Sequence, residues 1–162
     1  MNRDDALLQD WRTRALALET EIKKAVIGQD HVIHHINIAV FARGHVLLEG
    51  DVGVGKTTVL RAFARAIGGA FERVDPGPVL KHGDALSIFF FNEINRARPQ
   101  VHSLLLRVMA ERSANAFNRE YRFPHMIVFA DRNRVEKDET FEISSAARDR
   151  FSMEILIETP TD

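Results

Sequence analysis

The sequence contains no cysteine, which excludes disulfides, thiolate zinc sites and cysteine nucleophiles. It also lacks any apolar run approaching the ~18 residues that a membrane-crossing helix requires. The opening residues, MNRDDALLQDWRTR, carry acids and no apolar centre. They do not read as a signal peptide, so a cytoplasmic location is expected. An excess of either charge is missing too. Lys+Arg total 22 against 23 Asp+Glu, a net charge of -1, so nothing global points to nucleic acid or an anionic membrane. There is no internal repeat and no low-complexity tract.

What is present suits one soluble domain with a core of its own: 162 residues, 45% apolar and 28% charged. Leu7, Leu8, Trp11, Ala15, Leu18 and Ile22 recur at steps of three and four, predicting an amphipathic helix that Gly28 interrupts. A second helix is predicted from Asp30 as N-cap, with Val32, Ile33, Ile36, Ala39 and Val40 facing inward and Gly44 as its stop. His45 to Gly50 reads as a short buried strand that breaks into a glycine-rich loop. Val59, Leu60, Phe63, Ala64 and Ile67 then give helical spacing, closed by Gly68-Gly69.

Phe71 to Val74 is a strand candidate, and Asp75 to Asp84, with two prolines and two glycines, reads as loop. The apolar run Ser87 to Phe91 predicts a strand covered on both faces. Pro99 opens a helix whose expected core stripe is Val101, Leu104, Leu105, Val108 and Met109. Ser113 to His125 suggests a hairpin, and Met126 to Ala130 and Glu154 to Glu158 supply the last strands. Alternating strands and helices with continuously apolar strand cores predict a three-layer α/β domain with a mainly parallel central sheet. Residues 1–44 form its N-terminal helices and 45–162 its α/β core.

The chemistry starts at GDVGVGKT, Gly50 to Thr57, which fits G-x-x-x-x-G-K-[ST] with a strand before it and a helix after it. Glycines let backbone N–H groups turn inward around phosphates. Lys56 reaches the outer phosphates as a point charge, the Thr57 hydroxyl can ligate magnesium, and the following helix points its positive end at the anion. The expected nucleotide contacts are Gly50, Asp51, Val52, Gly53, Val54, Gly55, Lys56, Thr57 and Thr58.

Asn92-Glu93 directly follows an apolar strand, where enzymes with this loop place a magnesium-associated acid and then a glutamate that polarises the attacking water. Glu93 suits the second role. Position 92 is Asn, whose amide oxygen can accept a bond from metal-bound water but brings no charge, so weaker magnesium organisation and slow turnover are expected. Asn133 ends the strand MIVFADRN and is a candidate for contact with the γ-phosphate or the water, although Asn also simply terminates strands. Arg148 and Arg150 precede the last strand, and either could act in trans on a neighbour's phosphates. His31, His34 and His35 stand at helical spacing and read as imidazoles on a polar face rather than as metal ligands.

Taken together, VIGQD at Val26 to Asp30, GHVLLEGDVGVGKT, FNEINRARPQ, FADRN and ARDRF resemble, in order, the AAA+ ATPases of the MoxR family. The wording FFFNEINRARPQVHSLLLR is most similar to the subgroup linked to methanol dehydrogenase, in which Asn92 would be a native feature. The resemblance implies a P-loop NTPase fold with ATP and Mg2+ as cofactors. It implies Walker A at Gly50 to Thr57, Walker B at Asn92-Glu93 with Thr57 and Asn92 toward the metal, and sensor 1 at Asn133. Arg150 would be the finger, and Val26, Ile27 and Gly28 would lie near the adenine. It further implies a ring, often a hexamer, working beside a von Willebrand factor A-domain protein. The implied work is chaperone-like maturation of a client such as methanol dehydrogenase.

Two departures from the family pattern stand out. The helical lid and its sensor-2 arginine are not in the sequence, and only Asp75 to Ala85 separates two candidate strands where a parallel crossover usually takes a dozen or more residues. Either Phe71 to Val74 is displaced, or the sheet has lost its usual edge. Two other function classes compete with the ring motor. One is a nucleic-acid-acting motor lined by Arg96, Arg98, Arg119, Arg122, Arg132 and Arg134, and the other is a nucleotide-binding module with little or no hydrolysis.

Overall fold

The computed structural model describes residues 3–73, 86–133 and 143–159 of the chain. Two helices, α1 (Arg3–Ala25) and α2 (Asp30–Ala42), come first. Strand β1 (Val46–Glu49) leads through the glycine loop into α3 (Lys56–Ala66) and on to β2 (Ala70–Arg73). Strand β3 (Leu86–Phe91) is followed by a single 3-10 turn, Ile94–Arg96, and helix α4 (Pro99–Glu111). A hairpin of β4 (Ser113–Ala116) and β5 (Arg119–Arg122) precedes β6 (Ile127–Arg132). The short helix α5 (Ser145–Arg148) and β7 (Met153–Leu156) complete the described part.

Five strands form one sheet in the order β2-β3-β6-β1-β7, with every neighbouring pair parallel. This is the expected three-layer α/β arrangement, and its layers follow from side-chain alternation along each strand. On β1, Val46 and Leu48 face the layer built from α1, α2 and α3, where Ile33, Ile36, Leu60 and Phe63 are buried. Leu47 faces the opposite layer, with Leu105, Met109, Phe123 and Met126. Strand β6 divides in the same way, with Ile127 and Phe129 on one side and Val128 and Ala130 on the other. A strand covered on both faces has no polar positions to alternate, which is why these runs are apolar throughout.

The edge of the sheet is intact. β2 pairs in parallel with β3 from Ala70 opposite Leu86 to Arg73 opposite Phe90. That pairing removes both alternatives raised by the short connection: the strand is neither displaced nor lost. Val74 and the expected loop Asp75 to Asp84 lie outside the described residues.

Several local expectations change. Gln29 rather than Asp30 occupies the N-cap position of α2. The residue that ends α2 in the left-handed conformation is Arg43, at φ 54, and not Gly44. Gly44 is required for a different reason, since a Cβ there would stand 2.6 Å from the Ser152 hydroxyl. Helix α4 likewise stops on a left-handed arginine, Arg112, at φ 50. The Arg112 guanidinium donates to the carbonyls of Met126 (2.8 Å) and Arg43 (3.2 Å), and the Arg43 guanidinium donates to the carbonyl of Pro124.

On α4, Val101 and Leu104 are exposed, and His102 takes the buried position, its ring bonding the Ile94 carbonyl at 2.5 Å. Helix α1 forms as expected, yet of its apolar positions Leu7, Leu8 and Trp11 are exposed while Ile22 is buried. The hairpin expected in Ser113 to His125 is β4–β5. Its two loop residues, Phe117 and Asn118, both have positive φ, as a type I′ turn demands.

His45, just before β1, ties the two halves of the second layer together. Its Nδ1 accepts the Val128 N–H at 2.9 Å, which leaves Nε2–H to donate to the Met109 carbonyl at 3.2 Å. Burial disfavours the imidazolium and pushes the pKa below its ordinary value of 6.5; the nearby Arg112 charge acts in the same direction, and the bond to Met109 opposes it. As the pH falls below that value, the unfolded chain takes up a proton that the folded chain refuses. Stability present at neutral pH is therefore lost on acidification. The unfolding free energy from urea melts between pH 7.5 and 5.5 is expected to fall with a slope of at most about 1.4 kcal/mol per pH unit from this residue. His45→Gln should flatten that fall; an unchanged pH profile in the variant would remove His45 as its source.

Candidate functional site

Parallel pairing sets the carboxyl ends of β1, β3 and β6 side by side, with Glu49 opposite Arg132 and Phe91 opposite Ala130. Clefts at such strand ends are where open α/β sheets bind ligands. Here the glycine loop rises from β1 and turns directly into α3. Gly53 and Gly55 have φ of 89 and 90, a conformation that side chains resist, and a Cβ at either would stand in open space. The glycines therefore serve backbone shape rather than clearance from neighbouring protein.

Lys56, first residue of α3, is only 7% exposed. Its ammonium donates to the Gly50 carbonyl at 2.8 Å and to Asn133 Oδ1 at 3.2 Å, and pairs with Asp131 Oδ2 at 2.5 Å. Asp131 is 1% exposed, so each charge is buried with the other as its counter-ion. The second Asp131 oxygen accepts the backbone N–H of Glu93. Glu93 itself sits in the left-handed region at φ 55, a conformation that costs a non-glycine residue on the order of 1–3 kcal/mol and persists where surrounding bonds hold it. Its carboxylate accepts from Asn133 Nδ2 at 3.2 Å and pairs with Arg96 at 3.2 Å. Asn133 thus bridges the lysine and the glutamate, one amide atom to each.

These side chains line one open cleft of about 320 Å³, within the usual range for small-ligand sites. Of the residues singled out from sequence, the structure brings Val52, Gly53, Gly55, Lys56, Thr57, Thr58, Asn92, Glu93 and Asn133 together around it. Gly50 contributes through its carbonyl. Asp51 is exposed within the loop. A second, largely apolar cleft of about 270 Å³ is lined by Val26, Ile27, Val32, Val54, Val59 and Ile157. Gly53, Gly55 and Thr58 border both clefts, which makes them neighbours across the loop. Gly28, at φ 77, bends the chain between α1 and α2.

Arg148 and Arg150 are not part of either cleft's lining. Arg148 pairs with Glu154 at 3.0 Å, in a chain of charges that continues through Arg132 to Glu49, while Arg150 is exposed. Among the described residues, no group of three or more His, Asp or Glu side chains is arranged to hold a metal. His34 instead bonds Glu19, and His35 bonds the His31 carbonyl.

The residue that sequence reasoning missed is Asp131. Its signal was available: setting the apolar runs of β3 and β6 side by side puts a polar residue at the end of each.

The comparisons with known proteins agree with this geometry. Residues 13–74 match the MoxR domain of the MoxR-vWA-beta-propeller ternary systems, and residues 75–153 match the ATPase family associated with various cellular activities. The chain is 61% identical to Protein MoxR of Methylorubrum extorquens, across 98% of this chain and 53% of that protein. The chain belongs to the MoxR family of AAA+ ATPases. Chaperone MoxR1 of Mycobacterium tuberculosis is a more distant MoxR relative, 32% identical over 87% of this chain and 43% of that protein. A crystal structure of a protein assigned as an ATPase, from Cytophaga hutchinsonii, superposes with a TM-score of 0.70 at 25% identity, covering 92% of this chain and 54% of that one.

The chain therefore spans about half the length of the MoxR proteins it matches. The match to the Methylorubrum MoxR runs over 183 positions against 162 residues here, so that relative has residues within the matched stretch that this chain lacks. Among the described residues, no helix is long and apolar enough to cross a membrane.

The buried pair makes a direct prediction. Lys56→Ala strands the Asp131 carboxylate without its cation and should lower the unfolding free energy by about 3 kcal/mol. Adding Asp131→Asn to that variant should recover at least half of the loss, as read from urea unfolding without nucleotide. A single-variant loss near zero would show that the pair does not carry stability.

Proposed function

We propose that this chain binds ATP at residues 50–58 and, with Mg2+, hydrolyses it. The observation that carries the reading is the convergence of Lys56, Asn133 and Glu93 in one cleft at a helix N-terminus, with Asn133 bonded to both charged groups. The cleft suits such a ligand: Gly53, Gly55 and the start of α3 offer backbone N–H groups, and Lys56 offers a buried positive charge. Around them stand hard oxygen donors, the Thr57 hydroxyl, the Asn92 amide and the carboxylates of Glu93 and Asp131, which match magnesium rather than a softer metal. Mg2+ would supply charge neutralisation for the phosphates.

The chain's own groups do the rest. Glu93 accepts a proton from, and orients, the attacking water. Asn133 positions that water or the γ-phosphate, and Thr57 and Asn92 face the metal. Arg150, free of the pairing that engages Arg148, serves a neighbouring subunit as the finger. Val26, Ile27 and Gly28 lie on the adenine side, an assignment supported by the apolar cleft at Val26 and Ile27.

The wider reading treats residues 1–162 as the nucleotide-binding core of a cytoplasmic ring, such as a hexamer, beside a von Willebrand factor A-domain partner. This is supported by the match to a MoxR domain from MoxR-vWA systems. The work is chaperone-like maturation of a client such as methanol dehydrogenase, in line with the relative named as a chaperone and with the 61% identity to a MoxR protein. A nucleic-acid motor has less support, because Arg96, Arg122 and Arg132 are paired with Glu93, Glu120 and Glu49. Arg134 lies outside the described residues. A module that binds without turnover is favoured by one feature, the neutral amide at position 92.

Phosphate release under saturating magnesium-ATP tests the catalytic assignment. Glu93→Gln should retain nucleotide binding and lose turnover by about 100-fold or more. Equal turnover in variant and parent would sink the role given to Glu93, and binding without turnover in the parent would select the module reading.

A further inference from the structure

Position 92 lacks the acid expected beside the metal, yet the cleft is not short of one. Strands β3 and β6 run in parallel with Ile88 opposite Ile127 and Phe90 opposite Phe129. Continuing that register past Phe91 sets Asn92 opposite Asp131. Residues 88 and 90 bury their side chains in the same layer as 127 and 129, so by alternation 92 and 131 face that same side, toward α3 and Lys56. Asn92 stands one residue past the end of β3, both positions line the cleft, and the charge stands on the second of them.

We propose that Asp131 is a positioning residue that supplies, from the adjoining strand, the negative charge Asn92 does not. This charge pairs with Lys56, and it makes phosphate binding depend on a divalent cation. The inference rests on the ATP reading above. Asp131 is 1% exposed and has two partners, the Lys56 ammonium and the Glu93 N–H. A carboxylate so placed is uncompensated once its cation turns away. Phosphates that attract Lys56 do two unfavourable things at once: they compete with Asp131 for the ammonium, and they bring further negative charge to the same buried carboxylate. A divalent cation between the phosphates and the carboxylate relieves both effects. Asn92 contributes neither attraction nor repulsion of this kind, since its amide is neutral. The Glu93 contact adds a second consequence, because the carboxylate that faces Lys56 also pins the backbone of the residue proposed to orient water.

The test uses the full chain and ATP itself. Affinity is measured by calorimetry with Mg2+ and with EDTA, and Mn2+ bound with ATP is followed by electron paramagnetic resonance. The parent is expected to bind ATP more tightly with Mg2+ than with EDTA by at least about tenfold. In Asp131→Asn that ratio should fall toward one, chiefly because binding in EDTA improves, and the bound Mn2+ signal should change. The transposed variant Asn92→Asp/Asp131→Asn returns the charge to the neighbouring strand and should recover both the ratio and the signal. A merely structural role for Asp131 predicts the opposite for the transposed variant, which would stay impaired in both media.

If Asp131→Asn keeps the parent's ratio, or the transposed variant fails to regain it, the inference is overturned while the ATP reading stands. If the parent binds no ATP in either medium, the ATP reading fails and this inference with it. Should Asp131→Asn not fold by circular dichroism, the transposed variant decides alone: a parent-like ratio supports the inference and a lost ratio overturns it.

Discussion

The ion pair between Lys56 and Asp131 is the interaction on which the site depends. A lysine buried at the first turn of a helix cannot stand there without a counter-charge. Three groups meet it: a loop carbonyl, the Asn133 amide and the Asp131 carboxylate. Through Asp131 the pair reaches the backbone of Glu93, and through Asn133 it reaches the Glu93 carboxylate. The residue proposed to orient water and the residue proposed to hold phosphate are therefore not two neighbouring features. They belong to one hydrogen-bonded unit, assembled from the ends of three adjacent strands, and a change in one is transmitted to the other.

Much of this could be read from the sequence, and what could not has physical reasons. The glycine loop between β1 and α3 was legible because its pattern is local: glycines, lysine and threonine lie within eight residues, and the flanking strand and helix announce themselves by apolar patterning. The parallel sheet was legible because strands covered on both faces carry no polar positions. Asp131 was harder to see, because it matters only once β3 and β6 are set side by side, and it stands 39 positions after Asn92. The stripe of α4 was misread at Val101 and Leu104 since apolar character was taken as burial. His102 is buried there, along with the expected Leu105 and Met109, and its ring satisfies a carbonyl of the preceding turn. The edge strand was doubted because connection length was weighed alone, whereas four residues of parallel pairing hold β2 to β3.

Membership in the MoxR family rests on matches that together run through most of the chain, while the chain corresponds to about half of its relatives' length. The two statements fit together physically. The strand ends and the start of α3 that line the first cleft lie within this chain, and so does the apolar cleft that shares Gly53, Gly55 and Thr58 with it. Arg150 is of another kind: it is exposed and lines neither cleft.

The ends of α2 and α4 carry a last consequence. A helix that stops on glycine stops for reasons of its own backbone. These two stop on arginines held left-handed, and each guanidinium bonds carbonyls that other segments contribute, Arg112 to Arg43 and Met126, and Arg43 to Pro124. Neither terminus is fully defined until the other and the chain leading into β6 have arrived. Termination here is thus a cooperative event: the first helical layer and the second cannot settle their lengths independently, and the domain is expected to melt as one unit across them.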